Sequence, residues 1–161
     1  MIGVMNAMEI AEILTPQCIV PKLSATSKKQ ALQSLAKHAG TVTGLKDRTI
    51  FDALSQRERL GTTGVGHGVA IPHGKLPEID KLVGIFARLE KPIDFDAVDE
   101  QPVDLLFVLL APETAGAEHL KALARVSRLL RNRAICDKMR GSNDADALYA
   151  LITEDNASFA A

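Results

Sequence analysis

Cysteine is scarce in this chain of 161 residues: Cys18 and Cys136 are the only two. They lie far apart and form neither the paired spacing of a zinc site nor a disulfide framework, so they read as small buried hydrophobes in a reducing cytoplasm. Long apolar runs are missing as well. No segment approaches about eighteen uninterrupted apolar residues, and Met1 to Asn6 lacks the basic, apolar and cleavage regions of a secretory leader. The expectation is a protein that is neither exported nor membrane-inserted. Charge of one sign is not in excess: 19 Lys and Arg stand against 20 Asp and Glu, the formal net charge is -1 and the sequence pI is about 6.4. That balance selects neither nucleic acid nor an anionic membrane as a partner. Internal repeats and low-complexity stretches are also lacking, and the length suits one well-cored domain.

What the chain does have is glycine in one place. Five of its 11 glycines fall between Gly61 and Lys75, so the backbone there must turn, or approach something closely, in ways that a Cβ would obstruct. Val69-Ala70-Ile71 reads as a short buried strand that stops at Pro72, because proline brings no N–H to a ladder. His73 then stands at a strand end between Pro72 and Gly74, a setting that suits a nucleophile or a ligand exposed in a cleft.

The rest of the chain arranges itself around this loop. Residues 18–23 read as an early strand, with Pro21 indicating an edge position. Ser27 and Gln30 form a capping box, and Ala31, Leu32, Leu35, Ala36 and Ala39 recur at helical spacing until Gly40 ends the run. His38 then falls at the end of this helix, as a partner for its dipole. A second helix is expected over 46–59, with Ile50, Phe51 and Leu54 inward. At about 100° per residue Arg57 continues that stripe while Arg59 points away, which leaves Arg57 in the last turn, facing in, beside the glycine loop.

Residues 82–89 read as a strand, 92–101 as a connection, and 103–111 as a central strand covered on both faces. A helix over 117–130 carries Leu120, Leu123, Val126 and Leu130 as its apolar stripe, with Lys121, Arg125, Arg128 and Arg131 on a solvated face. Short helices over 134–139 and 145–152 follow. The pattern predicts an α/β fold: a single domain over 8–153 with a mixed parallel/antiparallel sheet flanked by helices on both faces, and terminal tails at 1–7 and 154–161.

Two phosphate motifs fail on the glycine loop. A P-loop ending at Gly74-Lys75 would need glycine at Val69 and Ser or Thr at Leu76, and a dinucleotide fingerprint would need its third glycine at Val69 and a following helix. A pure nucleotide-binding module is therefore disfavoured. Taken together, Arg57-Glu58-Arg59-Leu60-Gly61, the glycines and Val69-Ala70-Ile71-Pro72-His73-Gly74 resemble the enzyme IIA domains of the phosphoenolpyruvate-dependent phosphotransferase system, in the fructose/mannitol class. Gln101-Pro102-Val103-Asp104-Leu105-Leu106 and His119-Leu120 continue the resemblance, which covers about residues 9–152 and leans toward the nitrogen-regulatory branch.

By that resemblance His73 is a phosphoryl acceptor loaded by a histidine phosphocarrier protein of the HPr or NPr type, and Arg57 and His119 belong to the same site. The resemblance also implies regulated target proteins, among them potassium-transport systems. No cofactor or metal is expected. The chemistry is reasonable on its own terms, since imidazole with a pKa of ~6.5 is largely neutral at physiological pH and can attack phosphorus. Transfer between two histidines needs positioning and charge stabilisation, which an arginine fork and backbone N–H groups supply. Near a helix start, His119 would be disfavoured from protonating and could hydrogen-bond a phosphoryl oxygen. Other readings are a sugar-specific enzyme IIA that passes phosphate to an enzyme IIB, and a metal-dependent hydrolase built on His67, His73 and His119. His67 matches no specific family residue, and its spacing to the other two fits no standard ligand motif.

Overall fold

The computed structural model describes the backbone of residues 9–160 and the side chains of residues 9–154. The expected tail at 1–7 lies outside the described residues. Two short 3-10 turns, Ile10–Glu12 and Pro16–Cys18, lead into strand β1, Ile19–Leu23. Helix α1, Lys28–Thr43, starts as its capping box predicts, with the Ser27 hydroxyl accepting from the Gln30 N–H, and buries Ala31, Leu32, Leu35, Ala36 and Ala39. Its end differs from expectation. Gly40 stays helical, and a Cβ there would meet the Leu45 carbonyl oxygen at 2.9 Å, so that glycine serves the close return of the chain. Gly44 terminates the helix in the left-handed conformation at φ 83°. His38 consequently sits before the last turn, and its Nε2 donates to the Gln17 carbonyl at 2.8 Å instead of serving the helix end.

Helix α2, Asp47–Arg59, buries Ile50 and Leu54; Arg57 is half-buried and Arg59 exposed, as the angular argument requires. Strands β2 (Gly64–Gly66), β3 (Val69–Ala70), β4 (His73–Leu76), β5 (Val83–Ile93) and β6 (Val103–Pro112) complete the sheet with β1. The main path runs β1-β5-β6-β3-β2, and β4 pairs with β6. β1 is parallel to β5, β5 antiparallel to β6, β3 and β4 parallel to β6, and β2 antiparallel to β3, so the sheet is mixed. β1 is an edge strand whose register breaks around Pro21. β6 is central and buried along nearly its whole length, and Phe107 packs edge-on against its cross-strand partner Phe86.

Helices α3 (Gly116–Leu130), α4 (Arg133–Arg140) and α5 (Ala145–Ala160) pack among themselves, while α1 and α2 form a separate pair, so helices cover both faces of the sheet. Two further boundaries and one helix face differ from the sequence reading. β5 continues through a register break to Ile93, because the apolar side chain of Ile93 is buried opposite Val103. The last helix continues past Ile152 to Ala160. On α3 the inward face is His119, Ala122, Val126, Leu129 and Leu130, while Leu120 is 69% exposed. The helix is turned by about one residue from the expected stripe, which takes His119 inside. Lys121, Arg128 and Arg131 are solvated as expected, with Arg125 half-buried. Among the described residues, no helix is long and apolar enough to cross a membrane.

Candidate functional site

Pro72 interrupts hydrogen bonding without ending the strand. Val69 pairs with Leu105 and His73 with Leu109, the same offset on both sides of the break, so β3 and β4 are one line of chain along β6. His73 therefore opens a strand where a strand end was expected. The Pro72 carbonyl still accepts from the Leu109 N–H at 2.9 Å, and only the N–H that proline lacks is missing from the ladder. Gly74 lies against α2, where a Cβ would stand 3.4 Å from Ala53; alternation along the strand turns His73 to the opposite side.

The His73 ring is held at both nitrogens. Nδ1 lies 2.9 Å from the Ile71 carbonyl oxygen, which can only accept, so Nδ1 carries the hydrogen. Nε2 accordingly holds the lone pair, and Arg57 Nε donates to it at 3.1 Å. Burial lowers the His73 pKa below its usual 6.5, opposed by the Ile71 hydrogen bond and aided by the Arg57 charge. The ring is thereby kept neutral at neutral pH. Arg57 is fixed from the other side, because its Nη1 donates to the Gly61 carbonyl at 2.9 Å.

Behind Arg57 stands Glu58, whose side chain is only 6% exposed. It accepts from the N–H and the hydroxyl of Thr63 and pairs with Lys28 Nζ at 2.8 Å. Lys28 in turn lies over the Phe95 ring, 4.9 Å from its centroid. The glycine loop is thus tied down at its first turn by the residue adjacent to Arg57. Glu58 and Thr63 escaped the sequence reading; a short Glu-to-loop spacing after a helix end is the only signal that points to them.

His119, the fourth residue of α3, meets His73 edge to face with ring centroids 5.7 Å apart and planes at 72°. It is 6% exposed, and its Nε2 is buried with no hydrogen-bond partner in the structure. Its pKa is also lowered, by burial first and then by His73 and Lys75. An orphaned buried imidazole nitrogen beside a held histidine is an arrangement that packing alone leaves uncompensated.

His73, Arg57 and His119 are therefore brought together, and His67 is not. Its ring nitrogens face Arg133 at 3.1 and 3.0 Å, and its N–H donates to Asp99. The three-histidine ligand set of the hydrolase reading does not converge, and among the described residues no group of three or more His, Cys, Asp or Glu is arranged to hold a metal ion.

This fold is that of a phosphotransferase-system enzyme IIA domain. Residues 12–155 match the family described as phosphoenolpyruvate-dependent sugar phosphotransferase system, EIIA 2, and the chain belongs to that family. Within it, the chain is 58% identical over 145 residues to a nitrogen regulatory protein of Bradyrhizobium diazoefficiens, covering 90% of this chain and 95% of the relative. It is 41% identical over 150 residues to a nitrogen regulatory protein of Klebsiella oxytoca, covering 92% and 93%. The crystal structure of nitrogen regulatory protein IIA-Ntr from Neisseria meningitidis superimposes with a TM-score of 0.85 at 35% identity, over 89% of this chain and 99% of that one. The resemblance to the nitrogen-regulatory branch read from the sequence is borne out.

Proposed function

We propose that the chain accepts a phosphoryl group on Nε2 of His73 from a histidine phosphocarrier of the HPr or NPr type, and that its phosphorylation state governs contacts with regulated proteins. The observation that carries this reading is the double hold on His73: the Ile71 carbonyl claims the Nδ1 hydrogen and leaves the Nε2 lone pair toward Arg57. In the transfer, that lone pair forms a bond to phosphorus while the donor's P–N bond breaks and its electron pair returns to the donor ring. The positive charge that develops on the His73 ring is met by the Ile71 carbonyl. Arg57, relieved of its bond to Nε2, turns its guanidinium to the phosphoryl oxygens. His119, kept neutral by burial, offers its Nε2–H to one of those oxygens and so loses its orphan status.

A phosphohistidine adds about -1.5 to -2 charges by analogy with other phosphorylated side chains, a large change on a chain of formal net charge -1. Partners that dock around His73 would distinguish the two states, and the names of the nitrogen regulatory relatives support a regulatory use. The working extent is a domain over 8–153 in the cytoplasm, with target proteins that include potassium-transport systems.

The test is incubation with phosphoenolpyruvate, enzyme I and the phosphocarrier, followed by nitrogen-phosphorus NMR of the product. Acid-labile, base-stable label on Nε2 of His73 is expected, and label on Nδ1 or on another residue would overturn the reading. Pull-downs with each form then separate the regulator from the sugar-specific alternative: a regulator has partners that differ between forms, whereas a relay discharges to an enzyme IIB and has no such set.

A further inference from the structure

The far end of the glycine loop carries a second polar cluster that the phosphoryl site does not use. A cavity of about 700 Å³ opens between the β2–β3 turn and the α3–α4 junction, within the ordinary range for small-molecule sites. Val65 and Leu130 give it apolar surface, and His67, Arg131, Arg133 and Arg140 supply its polar side. Arg140 is already neutralised: its Nε lies 3.1 and 2.9 Å from the two oxygens of Asp104, and its Nη1 is 3.3 Å from Asp137, the acidic residue of the cavity wall. Arg131 and Arg133 are not. Among the described residues, no carboxylate lies within ion-pair distance of either.

Arg133 rests instead on His67, with Nη2 at 3.1 and 3.0 Å from the two ring nitrogens. A neutral imidazole has one nitrogen lone pair to offer and a hydrogen on the other nitrogen, so equal approach to both cannot be two hydrogen bonds. Arg133 is a cation without an adequate anion. The main chain of His67 is nevertheless held firmly, in the left-handed region at φ 55°, by its N–H to Asp99 at 2.9 Å and by Arg140 Nη2 on its carbonyl at 2.8 Å. The turn is tied at its main chain, and Arg131 and Arg133 beside it have no carboxylate partner among the described residues.

We propose that this cavity binds a small organic phosphate, with the phosphoryl oxygens bridging Arg131 and Arg133 and the organic body lying against Val65 and Leu130. Guanidinium forks match phosphoryl oxygens in pairs, and both arginines line the same cavity at the helix junction. Apolar surface in the same cavity selects an organic phosphate over a bare inorganic ion. The site does not depend on His73 and stands whether or not His73 is phosphorylated.

Adenosine diphosphate is the probe, with adenosine as its uncharged control and pyrophosphate as the anion without an organic body. In a nitrogen–proton NMR titration, ADP is expected to give saturable shifts at Gly66, His67 and residues 131–136, leaving the amides of residues 71–74 in place. Calorimetry should then give a Kd for ADP at least threefold below that of pyrophosphate, with no binding of adenosine at the same concentrations. The Arg131→Gln, Arg133→Gln double variant, changed at two exposed positions and checked for an unaltered melting temperature, should raise the ADP Kd at least tenfold. Absence of saturable shifts at millimolar ADP, shifts centred on His73, adenosine binding as well as ADP, or an unchanged Kd in the double variant would each overturn the proposal.

Discussion

Glu58 accepts two hydrogen bonds from Thr63, one from the backbone N–H at 2.8 Å and one from the hydroxyl. It is the residue next to Arg57, and Arg57 Nη1 reaches the Gly61 carbonyl within the same turn of chain. Helix end and loop start are thereby one unit, and the position of the guanidinium over His73 depends on it. Glu58→Ala should cost about 2 kcal/mol, the scale for charged hydrogen bonds lost from a buried site. For a chain of this size that is a fall of roughly 4–8 °C in melting temperature. Phosphoryl acceptance should slow as well, since Arg57 loses its platform. A variant that melts lower but accepts phosphate at the wild-type rate would detach Glu58 from the site.

His73→Ala should retain the fold, because the side chain is half-buried at the start of a strand and not part of the core. Acid-labile, base-stable phosphorylation should vanish. Circular dichroism and mass spectrometry of the treated variant check both halves, and full labelling would sink the assignment.

Arg57→Ala removes the group that faces the lone pair while leaving the nucleophile in place. By analogy with the loss of one preorganised charge stabiliser, the transfer rate should fall about a hundredfold, or roughly 3 kcal/mol. His73 should still become labelled at long times. Stopped transfer at short times, resolved by quenching, measures the rate; an unchanged value would take Arg57 out of the mechanism.

The two histidines also make a pH prediction. Both have pKa values lowered from the usual 6.5, mainly by burial, so the unfolded chain takes up protons before the folded one as pH falls. The stability that neutral rings contribute is complete above 6.5 and is lost as pH drops through their depressed folded values. Acceptance should therefore hold constant from pH 8 down to about 6.5 and decline only below it. Urea unfolding of wild type, His73→Ala and His119→Ala between pH 7.5 and 5 should show a shallower acid loss in each variant. If the slope survives both replacements, other groups titrate.

Gly68→Ala tests the turn that carries His67. Gly68 is at φ 80°, and a Cβ there would stand 2.6 Å from Arg140 Nη2 and 3.0 Å from Asp104 Oδ1. The substitution strains the backbone and parts the Arg140–Asp104 pair, so about 1–3 kcal/mol of stability should go. Chemical denaturation reads it directly, and a neutral result would mean that the turn relaxes freely.

The helix starts and the central strand were legible because their causes are local. Ser27 caps within three residues, and the apolar run from Val103 to Ala111 needs no knowledge of its neighbours. Gly40 misled because a glycine that admits a neighbouring backbone looks the same in sequence as one that ends a helix. On α3, hydrophobicity argues for burying Leu120, whereas the fold buries His119 and exposes Leu120. In the site, His73 and Arg57 could be read from loop and helix geometry. The Arg140–Asp104 pair and the contact of His67 with Arg133 join residues far apart in the chain, and no periodicity announces them.

The unbroken register across Pro72 makes the site sensitive to length in a way that differs from its sensitivity to composition. Side chains alternate faces along β4, and Gly74 marks the α2 side. Removing one residue between Ala70 and His73 would slide the strand by one step of about 3.3 Å along β6 and exchange the roles of neighbours. The imidazole would then be driven toward Ala53, and a glycine would occupy the place opposite Arg57 and His119. Ile71 could change to another apolar residue with its carbonyl still on Nδ1, so this segment should vary in its letters among working relatives while its count stays fixed.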